Sequence, residues 1–104
     1  GGIVTVDHYV WDFDKLSADL SEMAETSGGK IVLGEFGAPI PDIHGRMTED
    51  EQAEWIQKAF EKLVNNPDVI GISYWTNIGG STQIWNSDGM PRKSVDIVKS
   101  FFAL

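Results

Sequence analysis

Hydrophobic and polar positions along the 104-residue chain fall into three rounds of one pattern, a short β-rich run followed by a helical repeat. The first run, "IVTVDHYVW" at 3 to 11, is rich in β-branched and aromatic residues. Behind it, Leu16, Leu20, Met23 and Ala24 share one helical face, and Gly28-Gly29 supplies a stop. The second run, "KIVLGEFG" at 30 to 37, is an apolar stretch of the kind buried on both faces of a parallel sheet. After a loop containing Pro39 and Pro41, a helix is predicted from Thr48, with Ile56, Ala59, Phe60 and Leu63 turned inward. Thr48 and Glu51 have the spacing of a capping box, and Glu49, Asp50 and Glu51 suit the positive end of the helix dipole. Trp55 is expected to pack beside Ile56 and Ala59. The third run, "VIGISYWTN" at 69 to 77, leads through a glycine-rich loop to a helix opening near Pro91, with Val95, Val98, Phe101 and Phe102 as its stripe.

This order predicts an α/β fold in one domain, 1–104, with βα units at about 3–29, 30–67 and 68–104. Successive βα units give a parallel sheet, and in such sheets ligands gather at the carboxyl ends of the strands. The polar and aromatic residues obey that polarity. Asp7, His8, Tyr9 and Trp11 end the first strand, Glu35 the second, and Tyr74, Trp75 and Asn77 the third, whereas the strand beginnings hold Ile, Val, Leu and Gly. Strict alternation puts Ile31, Leu33 and Glu35 on one face and Val32, Gly34 and Phe36 on the other. Glu35 is then a carboxylate among core side chains, a position that is costly without partners.

Composition narrows the functions. A net charge of −8 with only eight Lys and Arg argues against nucleic acid and against an anionic membrane surface. No apolar run approaches the roughly 20 residues of a membrane helix, and the amino terminus lacks a signal-peptide pattern. With no cysteine, thiolate chemistry and disulfides are excluded, and His8 and His44 have no clustered ligands at metal spacing, so neither metal nor cofactor is expected.

Taken together, "VLGEFG", "DHYVWD" and "GISYWTN" resemble the seventh-, sixth- and eighth-strand motifs of the clan A glycoside hydrolases, (β/α)8 barrels that include family five cellulases and mannanases. Each motif alone is weak. Their order and spacing make the resemblance more specific, and it runs from Ile3 to Phe102. It implies three consecutive βα units of a parallel (β/α)8 (TIM) barrel, a partial barrel carrying strands six to eight. It also implies that Glu35 is the nucleophile of a retaining β-glycosidase, that Tyr9 hydrogen-bonds and orients this carboxylate, that His8 lines the same subsite, and that Trp75 forms the platform under the sugar. Many family members separate the sixth-strand His and Tyr by one residue, whereas His8 and Tyr9 are adjacent, so only one of the two is expected to face the site. Asn77 and Trp85 are implied as further substrate contacts. Trp85 serves equally well as a loop anchor.

One component is missing from the pattern. A retaining glycosidase needs a second carboxyl group about 5 to 5.5 Å from the nucleophile, and the family's strand-four Asn-Glu pair has no counterpart here. Asp7, Asp42 and Asp88 are the carboxylates expected near the catalytic end, and none lies in an acid/base motif. A full barrel takes about 250 residues. The chain is therefore expected to be the nucleophile-bearing carboxyl-terminal segment of a hydrolase, inactive by itself, with a β-glycan as ligand. The alternative is a noncatalytic (βα)3 module with weak sugar contact. Open sheet edges predict a homo-oligomer in either case.

Overall fold

In the computed structural model, which describes residues 2–75 and 80–102, three parallel strands alternate with helices. Strands β1 (Ile3–Asp7), β2 (Lys30–Phe36) and β3 (Val69–Tyr74) lie in the order β1-β2-β3. Helix α1 (Phe13–Ser27) follows β1, the single turn α2 (Pro41–His44) and α3 (Glu49–Val64) follow β2, and α4 (Lys93–Phe102) follows β3. Residues 76 and 77, expected to end the third strand, and the side chain of Phe102 lie outside the described residues. None of the described helices is long and apolar enough to cross a membrane.

Local chemistry accounts for the helix ends. Asp12 caps α1 by accepting from the amides of Asp14 and Lys15 at 2.7 and 3.1 Å, and Gly28 closes it at φ +71°, a left-handed conformation that glycine adopts without a Cβ clash. The capping box of α3 is complete: the Glu51 amide donates to Thr48 Oγ1 at 3.1 Å, and the Thr48 amide donates to Glu51 Oε1 at 2.9 Å. The turn α2 lies within the Pro39/Pro41 loop, with Pro41 at the start of the helix, where its fixed φ is favourable and its missing N–H costs nothing.

With the strands in sequential order, α1, α3 and α4 pack into one core against the sheet. Leu16, Leu20 and Ala24 of α1, Ile56, Ala59, Phe60 and Leu63 of α3, and Val95 of α4 join Ile31, Leu33 and Phe36 of β2 in one core. Trp55 is buried there as expected. Phe36 meets the rings of Phe60 and Tyr74 edge-on, each at 5.5 Å. Burying a Leu, Ile or Phe of this size contributes about 1.5–3 kcal/mol each, so the strand-helix layer supplies most of the stabilisation.

The strict alternation expected for β2 does not hold. Val6 pairs with Leu33 but Asp7 pairs with Glu35, and Leu33 pairs with Ile72 but Phe36 with Tyr74, so β2 carries one extra residue against both neighbours. This bulge moves Phe36, not Glu35, into the helix-facing set with Ile31 and Leu33; all three are fully buried and Glu35 is half-buried. The opposite face is lined sparsely. A Cβ on Gly34 would meet the side chains of Thr5 and Asp7, and one on Gly71 would meet Val32.

A buried asparagine fastens the layer. Asn66 Nδ2 donates to the Ser17 carbonyl, Ser17 Oγ and Ser21 Oγ at 2.9 to 3.0 Å, and its Oδ1 accepts from the Asp68 amide at 2.9 Å, joining α1 to the turn before β3. Asn66→Ala is expected to lower unfolding free energy by about 1–3 kcal/mol in urea titrations, because it strands buried acceptors and one donor. A loss below about 0.5 kcal/mol would mean that water replaces the asparagine there.

Candidate active-site corner

Glu35 sits in the bulge at the carboxyl end of the central strand, with Asp7 as its register partner on β1. Beyond β1 the pairing continues for one more bond, from the His8 amide to the Glu35 carbonyl at 2.9 Å. An extended backbone then turns adjacent side chains to opposite sides. Tyr9 goes to Glu35: burial, a hydrogen bond to the Glu35 side chain, and the negative charges of Glu35 and Asp7 all hold its phenol well above the ordinary tyrosine range. The phenol therefore stays protonated and donates to the carboxylate.

His8 goes the other way. Its Nε2 lies 2.8 Å from Asp19 Oδ2 on α1, a carboxylate that Lys15 also reaches at 2.9 Å. The Lys15 hydrogen bond first, and that of His8 second, hold Asp19 below the usual carboxylate range. His8 is thus engaged with the helix layer through Asp19 of α1.

Trp75 follows β3 directly, is 53% exposed, and is held at its backbone by a 2.7 Å bond from its amide to the Phe36 carbonyl. Gly37 is what lets β2 pass beneath it: a Cβ there would lie 2.2 Å from the Trp75 carbonyl oxygen. Trp85 packs half-buried against the core and forms an isolated bridge with Pro91. Asn77 lies outside the described residues. Of the other carboxylates, Asp42 is on α2 and Asp88 accepts from the Met90 amide at 2.9 Å within its own loop.

The side chain that organises these loops is one the sequence reading missed. Gln52, fully buried on α3, donates through Nε2 to the carbonyls of Ala38 at 2.9 Å and Gln83 at 3.0 Å, while its Oε1 accepts from Arg92 Nε at 2.8 Å and Ser94 Oγ at 3.3 Å. The Tyr74 hydroxyl lies beside it, 2.9 Å from the Ala38 carbonyl and 2.8 Å from that of Thr82, and burial is the main cause of its pKa being raised to about 12. One amide and one phenol thus tie the exit of β2, the loop after β3 and the start of α4 together. The signal was available: Gln52 falls four residues before Ile56, on the inward stripe of α3, where a polar side chain needs a buried partner. Among the described residues no buried side-chain nitrogen or oxygen lacks one.

A second buried ring fixes the outer side. His44 Nδ1 accepts from the Ile40 amide at 2.8 Å, Nε2 donates to the Val10 carbonyl at 2.9 Å, and the ring stands edge-on to Trp55. Burial holds His44 below the ordinary imidazole range.

A one-sided, sequentially ordered parallel sheet with its polar residues at the carboxyl ends is part of a (β/α)8 barrel, and solved structures of glycoside hydrolases share that fold with this chain. A GH128 (subgroup VII) oligosaccharide-binding protein from Trichoderma gamsii superposes with a TM-score of 0.78 at 16% identity, over 97% of this chain and 41% of that one. A GH128 (subgroup I) endo-beta-1,3-glucanase from Amycolatopsis mediterranei gives 0.77 at 14% identity, over 94% and 44%, and a beta-D-glucuronidase from Dictyoglomus thermophilum gives 0.73 at 20%, over 98% and 22%. The chain spans less than half the length of each, and at these identities the likeness is one of fold. No protein-family model and no curated protein matches the sequence.

Two outcomes follow for the loop scaffold. Gln52→Leu is expected to destabilise by about 3 kcal/mol in denaturant titrations, because it leaves Arg92 and at least one carbonyl buried without partners; an unchanged midpoint would show that the network carries no stability. For His44, the unfolded chain takes up a proton near pH 6.5 while the folded ring resists it. The unfolded state then binds more protons, so stability is full above about pH 6.5 and falls as pH drops below it. Thermal melts between about pH 8 and 5.5 should show that decline, and a flat profile would mean that His44 protonates as easily folded as unfolded.

Proposed function

We propose that the chain is the nucleophile-bearing part of a retaining glycoside hydrolase acting on β-linked glycans, of the clan A type that includes family five. The observation that carries this reading is the place of Glu35, half-buried in the bulge at the carboxyl end of the central strand and register-paired with Asp7, with Tyr9 beside it. Glu35 attacks the anomeric carbon, the C–O bond to the leaving group breaks, and a glycosyl ester forms on the carboxylate; water later hydrolyses that ester. Tyr9, a protonated phenol, orients the attacking oxygen and stabilises its charge before attack. Trp75 offers an exposed aromatic face to the C–H side of the sugar, and Trp85 and Asn77 are candidate outer contacts. The leaving oxygen is protonated by a carboxyl group outside these 104 residues, so the chain by itself does not turn over ordinary glycosides.

Apolar clefts border both edge strands, Val4, Val6 and Met23 beside β1 and Val64, Ile70 and Phe101 beside β3. Such edges favour pairing with further strands, and association with a second copy is part of this proposal. A second reading, a noncatalytic sugar-binding module, is favoured by the likeness to the Trichoderma protein, which is described as oligosaccharide-binding.

Intact mass after incubation with 2-deoxy-2-fluoro gluco- and manno-glycosides bearing a dinitrophenolate leaving group separates the two, since this group departs without an acid. The expected result is a single glycosyl adduct on Glu35, absent in Glu35→Gln and formed roughly 100-fold more slowly in Tyr9→Phe. No adduct with either reagent would reject the nucleophile and leave the binding module.

A further inference from the structure

Outside the Glu35 corner, the segment that follows β1 carries an indole that the core leaves in water. Trp11 is 62% exposed. Its backbone is nonetheless tied to the neighbouring elements: the Val10 carbonyl accepts from His44 Nε2 at 2.9 Å, the Trp11 carbonyl accepts from Trp55 Nε1 at 2.8 Å, and Asp12 caps α1. The backbone on both sides is held, and the ring projects outward from it. The open depression it borders, about 260 Å³, is lined by Phe13, His44, Met47 and Trp55 together with Arg46. Of the charged residues that line it, Lys58 is paired with Glu54 at 2.9 Å and Glu51 is engaged in the capping box, whereas Arg46 has no ion-pair partner among the described residues.

We infer that this depression is a second glycan-binding site, one that seats a single pyranosyl residue with its C–H face on Trp11 and a hydroxyl or carboxylate oxygen accepting from Arg46. The choice of a sugar rests on the glycan reading of the Glu35 corner; the site itself rests on the exposed indole carried on a held backbone, the depression beside it and the unpaired guanidinium. Aromatic side chains supply the apolar contact, the free donor fixes orientation, and the open depression has room for one ring. Because the backbone is already fixed, binding orders little, which offsets part of the cost that makes weak sugar contacts unobservable. The site is lined by Trp55 of α3, whereas Glu35 lies at the end of the sheet and is not among its lining residues.

The test is to titrate the whole 104-residue chain with laminarihexaose, and separately with glucuronic acid, and follow the four indole N–H resonances, assigned by Trp→Phe variants. The resonance of Trp11, and that of Trp55 behind it, should move saturably with at least one of the two sugars. The midpoint should be unchanged in Glu35→Gln, and binding read at Trp55 should weaken at least roughly fivefold in Trp11→Ala and in Arg46→Ala, with the melting profile of each variant retained. Saturation that moves Trp75 alone would overturn this site while leaving the function reading intact. Movement of Trp11 with Trp75 silent supports the site and counts against a glycan at Glu35. Equal shifts with glycerol, or none with either sugar, would overturn it, and the covalent trapping at Glu35 decides the other reading independently.

Discussion

The buried amide of Gln52 is the contact on which the upper end of this fold depends. A parallel sheet delivers its strands to one rim, but the loops that leave them carry backbone carbonyls into a space closed by α3 and α4, and each such carbonyl needs a donor. Gln52 supplies both amide protons to Ala38 and Gln83 and offers its oxygen to Arg92 and Ser94. Tyr74 contributes its hydroxyl to the same carbonyl group of contacts. A polar network of this sort stabilises only when every member is satisfied, which makes it specific: moving any one loop breaks several bonds at once.

The rim so fixed explains how a carboxylate can end a buried strand. Without the bulge, Glu35 would point into the layer occupied by Ile31 and Leu33, and an anion there would be expensive. The extra residue gives that place to Phe36, which fills it against Phe60 and Tyr74, and leaves Glu35 half-buried with the Tyr9 phenol as partner. The same step brings Gly37 under the Trp75 carbonyl, where no side chain fits. Core packing and the geometry of the candidate site are thus two consequences of one irregularity in β2.

Both sides of the first loop are held in a comparable way. His8 is tied to Asp19, which Lys15 also holds, Val10 to His44, and Trp11 to Trp55, so the segment from 8 to 12 is a bracket between the sheet and the helices. One side of the bracket presents Tyr9 to Glu35; the other presents Trp11 to water. Brackets of this kind reduce the ordering cost of any ligand that meets them.

Much of this was legible in the chain as written. The β-rich runs, the inward stripes and the Thr48–Glu51 cap depend on residues within a few positions of one another, and local chemistry settles them: period, propensity and capping act over one or two turns. The placement of polar residues at strand ends was readable for the same reason. What tertiary structure decided was which neighbour each side chain meets. The bulge in β2 arises from pairing with two other strands at once, so no count along a single strand reveals it. The parting of His8 from Tyr9 requires a helix bearing Asp19 on one side and a carboxylate on the other, and the role of Gln52 requires four segments separated by up to 42 residues in sequence to converge on one amide. Sequence determined the elements because their causes are local; the three-dimensional packing determined the corner because its causes are contacts between segments far apart along the chain.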